Sequence, residues 1–237
     1  MIYERTHKPG IDEVNRRLQR TNSALIALLQ NTACFHADSI HYGVFDIPRT
    51  NLTWFIIDWK AEILKRPHYG EELTVRTWAR NVQGHFCYRD FEVYAKEELC
   101  VRATSKWALF DARNMTYAEM PEEMLVRFGH DEREPVFPEK ELEHLSILED
   151  YDEKTEVRIR KTDLDFNRHV NNVKYLDYLI DYGKGKDYDR FRIAYRRQIR
   201  EEEKVYLCHS LIGNVHHYAI MDEEGNVKTI IEAEDNE

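Results

Sequence analysis

Two stretches of this 237-residue chain share one pattern, a helix-like run followed by four strand-like runs, and that repetition constrains the fold more than any single motif. The first helix-like run is "TNSALIALLQNTACFHADS", residues 21–39, with Leu25, Leu28, Leu29 and Phe35 at helical spacing and Thr21, Asn22 and Ser23 as cap candidates. So few charges interrupt it that most of its surface should be buried. Segments 52–64, 72–82, 85–95 and 99–112 follow, rich in alternating, β-branched and aromatic residues, and each reads as a strand. In the second half, 155–161 reads as a strand and 171–182 as a helix through Val173, Leu176, Leu179 and Ile180. Segments 190–199, 204–213, 215–222 and 227–234 then read as strands, the last two joined by the turn "DEEGN" with Gly225.

An antiparallel sheet with one apolar face needs a helix to cover it, so the expected class is α+β, repeated in tandem as a covalently linked pseudo-dimer. Between the repeats, residues 120–153 carry Pro121, Pro135, Pro138 and many acids with little alternation. The expected organisation is an N-terminal unit at 1–135, a linker at 136–150 and a C-terminal unit at 151–237.

Composition removes several function classes. With 42% hydrophobic and 12% aromatic residues the chain can build a core, and its net charge of −10 argues against a general nucleic-acid binder. No run approaches the roughly 18 apolar residues of a membrane span, and "MIYERTHKPG" lacks the apolar centre of a signal peptide. Cys34, Cys87, Cys100 and Cys208 stand at wide, irregular spacings that suit neither zinc nor a disulfide scaffold. Reduced cysteines in the cytoplasm are expected. His216 and His217 are adjacent, so on a strand they face opposite ways and do not share a metal. Five arginines, Arg190, Arg192, Arg196, Arg197 and Arg200, form an acid-free run that either faces an acidic partner or is a solvated strand. All four tryptophans, Trp54, Trp59, Trp78 and Trp107, fall in the first repeat, where core packing is their default role.

The candidate chemistry lies in "TDLDFNRHVNNVKYLDYL", 162–179. Taken singly, Asp165 is a helix cap, Asn167 a turn residue and His169 a structural histidine. Together, at alternate positions before a helix, they invite another reading, because alternate residues of an extended segment point the same way. An acid and an imidazole can each take a proton, and an amide can donate to a developing oxyanion beside free helix N–H groups. Asn171 and Asn172 read as helix-start residues and Tyr175 as packing.

This D-x-N-x-H-V-N-N-x-x-Y run resembles the acyl-acyl-carrier-protein thioesterase family of bacteria and plastids, whose members are tandem double hot-dog proteins. The resemblance extends to a P-x-x-G turn (Pro67, Gly70), to Thr77 and Trp78, and to "YRRQI" at 195–199. It implies two antiparallel sheets each wrapped around a helix, and hydrolysis of acyl-acyl-carrier-protein thioesters to free fatty acids without a metal or cofactor. Acyl carrier protein is the implied partner. Asp165, Asn167 and His169 take the places of the family's catalytic residues, and Gln198 stands where the family has glutamate. An amide cannot take a proton as a carboxylate does. The first repeat has no counterpart of the D-x-N-x-H run and is expected to shape the acyl pocket. An acyl-CoA thioesterase and a non-catalytic acyl-thioester-binding protein are the alternatives. Acyl length and association into a homodimer stay open.

Overall fold

The computed structural model describes residues 1–129, 133–165 and 167–235, so Phe166 inside the motif lies outside the described residues. The chain divides into two compact units, Met1–Arg20 with Ala27–Leu142, and Thr21–Ile26 with Glu143–Glu237.

Unit 1 contains β1 (Tyr3–His7), β2 (Leu52–Ile63), β3 (Leu73–Gln83), β4 (Phe86–Ala95), β5 (Glu98–Asp111) and a short β6 (Thr116–Tyr117), with α1 (Asn22–Ser39), of which the part from Ala27 belongs to this unit, and a short α2 (Ile47–Thr50) between β1 and β2. Its sheet runs β1-β3-β4-β5-β2 with every pairing antiparallel, and β6 lies against β5. Thr21 caps α1 by accepting the Ala24 N–H on its hydroxyl at 3.2 Å. Beyond Ala27 the helix buries Leu28, Leu29, Ala33, His36 and Ala37. The chain after it joins a cluster of Ile40, Tyr42, Ala79, Cys87, Leu109, Met124 and Phe128. Trp59, Trp78 and Trp107 are buried, and Trp54 packs its edge against Phe128 at 6.3 Å. A fully buried indole removes well over 150 Å² from water, so packing accounts for the first three.

The four strands expected in this half are present to within about two residues. Besides the short α2 and β6, two elements were not expected. β1 exposes Glu4 and Thr6 and half-buries Tyr3, Arg5 and His7, so both faces are largely polar and its alternation was hidden, and α3 (Glu122–Phe128) lies in the proline- and acid-rich stretch where no element was read. Glu122 and Glu123 occupy its first turn, where the helix dipole favours acids, and Met124 and Phe128 pack inward one turn apart.

Unit 2 contains β7 (Glu153–Val157), α4 (Lys174–Tyr182), β8 (Arg190–Tyr195), β9 (Val205–Ile212), β10 (Val215–Asp222) and β11 (Val227–Glu234). Its strand order, β7-β9-β10-β11-β8, repeats that of unit 1 member for member. Each unit is thus an antiparallel sheet with its own helix, the expected α+β arrangement. The strand expected at 190–199 stops at Tyr195, because the N–H groups of Arg196 and Arg197 both turn onto the Lys228 carbonyl, at 2.8 and 3.1 Å. The helix expected from Asn171 starts at Lys174, since Asn171 instead accepts the Val173 N–H on its side chain (3.3 Å) and the Lys174 N–H on its carbonyl (2.8 Å). Among the described residues no helix is long and apolar enough to cross a membrane, and all four cysteines are free.

Candidate active site

Asp165, Asn167 and His169 lie on a tight hairpin of unit 2. A 3₁₀ turn at Lys161–Asp163 leads to Leu164, which pairs with Val170 as an antiparallel bridge. Within the loop the Asp165 N–H donates to the His169 carbonyl (2.8 Å) and the Arg168 N–H to the Asp165 carbonyl (3.0 Å). The Asp165 Oδ1 accepts two further backbone donors, Asn167 N–H at 2.8 Å and His169 N–H at 3.2 Å. The sequence reading placed the three side chains on one extended segment. The structure corrects that: Arg168 adopts a left-handed conformation, φ 64°, which breaks the alternation. A carboxylate clamp, and not strand pleating, gathers the three residues.

The hairpin is held from two sides. Val170 N–H donates to the Ile199 carbonyl at 2.8 Å and His169 bridges Arg200, so the segment carrying Gln198 runs alongside. Val170 and Ile199 are buried, which places half-buried His169 and exposed Gln198 and Arg200 on the other side of that ladder. On the opposite flank Asp163 receives the Asn171 N–H on its carbonyl (2.8 Å). Its buried carboxylate accepts the Arg160 N–H (2.9 Å) and the Tyr178 hydroxyl (3.1 Å) of α4. Burial, and then Asp163, push the Tyr178 hydroxyl well above its ordinary range, so it stays a donor. Asp163 was missed in the sequence because a second acid so close to Asp165 reads as loop solvation.

Donors for an oxyanion were expected partly from the start of the following helix. There the N–H groups of Asn171, Val173 and Lys174 are already engaged within the segment. The exposed Asn167 amide makes no hydrogen bond to another described residue and remains the available donor. Tyr175 is buried, packs edge-on to Tyr195 at 5.5 Å and is core, as expected.

Unit 1 carries a backbone copy of this hairpin, where the sequence reading expects none. A 3₁₀ turn at Ile11–Glu13 leads to a Val14–Arg20 bridge, as Lys161–Asp163 leads to Leu164–Val170. Asn15 N–H donates to the Gln19 carbonyl (2.8 Å), Leu18 N–H to the Asn15 carbonyl (2.8 Å), and Leu18 is left-handed at φ 59°. The Asn15 Oδ1 accepts Arg17 N–H at 2.9 Å and Gln19 N–H at 3.3 Å. Arg20 N–H meets the Pro67 carbonyl at 2.8 Å and Gln19 bridges His68, matching Val170 with Ile199 and His169 with Arg200. Asn15, Arg17 and Gln19 therefore stand at the positions of Asp165, Asn167 and His169. None of them can serve as a base.

The other candidates resolve locally. Arg190 pairs with Glu234 at 3.6 Å, Arg192 donates to the Glu143 carbonyl (2.6 Å), and Arg196 meets His144 Nδ1 (2.5 Å) and the Leu145 carbonyl (3.3 Å), so the arginine run is not one free basic face. Arg197 and Arg200 stay exposed. His216 is buried against His209 (Nδ1 to Nε2, 2.8 Å), while His217 faces Glu232 at 3.5 Å. Among the described residues no group of three or more His, Cys, Asp or Glu side chains is placed to hold a metal.

Comparison with known proteins identifies the family of the chain. The chain matches the acyl-ACP thioesterase N-terminal domain over residues 1–128 and the acyl-ACP thioesterase C-terminal domain over 148–235. It is 27% identical over 215 residues to oleoyl-acyl carrier protein thioesterase 1, chloroplastic, of Arabidopsis thaliana, covering 81% of this chain and 59% of that one. It is 29% identical over 170 residues to the palmitoyl-acyl carrier protein thioesterase of Gossypium hirsutum, covering 65% and 40%. The matches thus cover only 59% and 40% of the lengths of these two curated relatives. In fold it is similar to an acyl-ACP thioesterase from Bacteroides thetaiotaomicron, with TM-score 0.87 at 22% identity over 98% of this chain and 97% of that one. The 12:0-ACP thioesterase from Umbellularia californica gives TM-score 0.84 at 21% identity, covering 98% and 96%. With family matches over both units and the double hot-dog architecture in each comparison structure, the chain belongs to the acyl-ACP thioesterase family.

Proposed function

We propose that this chain hydrolyses acyl thioesters presented on acyl carrier protein and releases the free fatty acid, with the chemistry at the 163–170 hairpin of unit 2 and the acyl pocket shaped by unit 1. The observation that carries the reading is the clamp that holds Asn167 and His169 around the Asp165 carboxylate. Water attacks the thioester carbonyl, the C–S bond breaks, and the thiol leaves with a proton. Two groups of the hairpin can take the proton from water. Asp165 has one oxygen committed to two backbone donors, and His169 is a half-buried imidazole. The Asn167 amide supplies a donor for the carbonyl oxygen as charge develops on it. Gln198 is exposed beside this ladder and contributes hydrogen bonding, not proton transfer. The free cysteines, three of them buried, suit a reducing cytoplasm.

Gln198 also favours a second reading, an acyl-thioester-binding protein without efficient turnover. Steady-state hydrolysis of a panel of acyl-carrier-protein and acyl-CoA thioesters separates these. Saturable turnover with a preference for the carrier-borne series supports the proposal, a preference for the CoA series makes it an acyl-CoA thioesterase, and tight binding without turnover makes it a binding protein.

A further inference from the structure

The copied hairpin of unit 1 keeps the backbone of the candidate site and has exchanged its side chains. Asn15 still performs the clamp, with the same two donors at nearly the same distances. What surrounds it is basic and apolar. Arg16 and Arg17 are exposed at the tip, and neither side chain forms an ion pair or hydrogen bond with another described residue. The adjoining turn is stitched to the hairpin by Tyr69 N–H on the Leu18 carbonyl (2.9 Å) and Gly70 N–H on the Pro9 carbonyl (3.1 Å). That stitching brings Lys8 and His68, both exposed, to the same edge. Exposed Leu18 and Tyr69 lie among these polar side chains.

The acids of the two segments are mostly committed. Glu13 is held by Arg20 at 2.7 Å and by His7 at 2.9 Å, Glu71 accepts the His68 N–H at 3.1 Å, and Asp12 and Glu72 are left exposed on the flanks. In a chain of net charge −10 the hairpin tip, Arg16 and Arg17, is a point of unpaired positive charge, with exposed Lys8 across the stitched turn. Leu18 adds a separate observation. A leucine in the left-handed region is sterically costly, and here about half of its surface is open to solvent. An apolar centre within a charged rim is the anatomy of a protein docking surface.

We propose that the 14–20 hairpin and the 65–70 turn of unit 1 form the docking surface for the carrier protein, an acidic partner, with Arg16 and Arg17 as charge contacts and Leu18 as the apolar anchor. The proposal rests on the reading that carrier-borne thioesters are the substrate. It assigns the two hairpins different work, chemistry in unit 2 and partner recognition in unit 1. It also moves the expected contact away from Arg190–Arg200, where Arg190, Arg192 and Arg196 are already engaged within unit 2.

The test uses the full chain and three variants, the double reversal R16E/R17E, the milder R16Q/R17Q and Leu18→Asn, which relieves the backbone and removes the anchor. Turnover is measured on a carrier-borne thioester, the matching acyl-CoA and a small synthetic thioester, at about 0.05 and about 0.3 M salt. Binding of carrier protein bearing no acyl group is measured separately. Charge steering predicts that R16E/R17E raises KM for the carrier-borne substrate at least about tenfold at low salt, with kcat retained and the difference shrinking at high salt. R16Q/R17Q should follow in the same direction. Leu18→Asn should melt no lower than the parent and bind carrier more weakly. An unchanged KM in both arginine variants overturns the proposal, as does an equal rise with acyl-CoA, which would assign the patch to the pantetheine phosphate. If the parent chain binds carrier without hydrolysing its thioester, the catalytic reading falls while loss of binding in the variants still upholds the docking surface.

Discussion

Replacing Asp165 by asparagine separates two jobs that one side chain performs, and unit 1 supplies the internal control. There Asn15 holds the same hairpin through a neutral amide oxygen, at 2.9 and 3.3 Å, against 2.8 and 3.2 Å for the Asp165 carboxylate. Holding the loop therefore does not require a charge at this position. A neutral hydrogen bond contributes about 1 kcal/mol net and a charged one about 1.5–3, so Asp165→Asn should cost roughly 1 kcal/mol with both bonds kept and the site half-exposed. Asp165→Ala loses both bonds and should cost about 0.5–2 kcal/mol, as removal of a cap does. For a chain of this size either change lowers Tm by only a few degrees. Catalysis should respond differently. If the carboxylate takes or orients the proton, Asp165→Asn lowers kcat at least about 100-fold, near 2.7 kcal/mol of barrier, with circular dichroism and melting nearly unchanged. Hydrolysis rates and thermal melts on the parent and both variants decide it. An asparagine variant that turns over at close to the parent rate would show that Asp165 is only a clamp, and the base would then have to be His169.

His169→Ala should likewise lower turnover at least about 100-fold at unchanged far-UV circular dichroism, and equal rates would remove the imidazole from the chemistry. Gln198→Glu brings a second carboxylate beside the hairpin, and neighbouring carboxylates raise one another's pKa. A shifted pH–rate profile, or a gain in turnover, would place residue 198 in the reaction, and superimposable profiles would place it outside. His36 is buried in unit 1 with its Nδ1 2.8 Å from the Arg89 guanidinium, and burial, then Arg89 and the N-terminal amine, push it down to about 3. Since its folded value lies below the unfolded one near 6.5, its stabilisation is complete above about pH 6.5. It is lost towards pH 3 at up to about 1.4 kcal/mol per unit. His36→Gln, which can still accept from Arg89, should flatten that acid limb in a pH series of melts, and an unaltered slope would exonerate His36. Truncating Trp54, half-buried against Phe128, should redistribute acyl-chain preference if unit 1 shapes the pocket, whereas uniform loss at every chain length would mark it as core alone.

The elements legible in the sequence were those in which one side chain pattern carries the information. Strands such as Val205–Ile212 and Val215–Asp222 are rich in β-branched, aromatic and other apolar residues because most of their positions are buried or half-buried, and α1 is apolar because much of it is enclosed. Where the determinant was a backbone group the pattern failed. Nothing in the side chains of Arg196 and Arg197 reveals that both their N–H groups turn onto Lys228 and end the strand there. α3 was hidden by the acids and prolines around it, although Met124 and Phe128 are spaced by one helical turn and both pack inward.

The candidate site divides along the same line. Asp165, Asn167 and His169 were legible as residue types, but the reason they converge was not, because it depends on Arg168 taking a left-handed conformation that arginine seldom adopts. The copy in unit 1 escaped for a stronger reason. A search for acid, amide and imidazole finds nothing in "NRRLQ", whereas the fold asks only for a short side chain with an acceptor oxygen at the first position and for a residue four places on whose N–H can reach it. Asp165 and Asn15 both satisfy that, each two residues beyond a 3₁₀ turn whose last member is an acid, Asp163 or Glu13. Those two acids do matching work, accepting the N–H of Arg160 at 2.9 Å and of Gly10 at 2.7 Å. An acid followed two places later by Asp or Asn was therefore the readable signature of the hairpin in both repeats. The chemistry-bearing triplet was the part free to change, and it is in that freedom that one hairpin can be kept for proton transfer while its copy acquires Arg16 and Arg17.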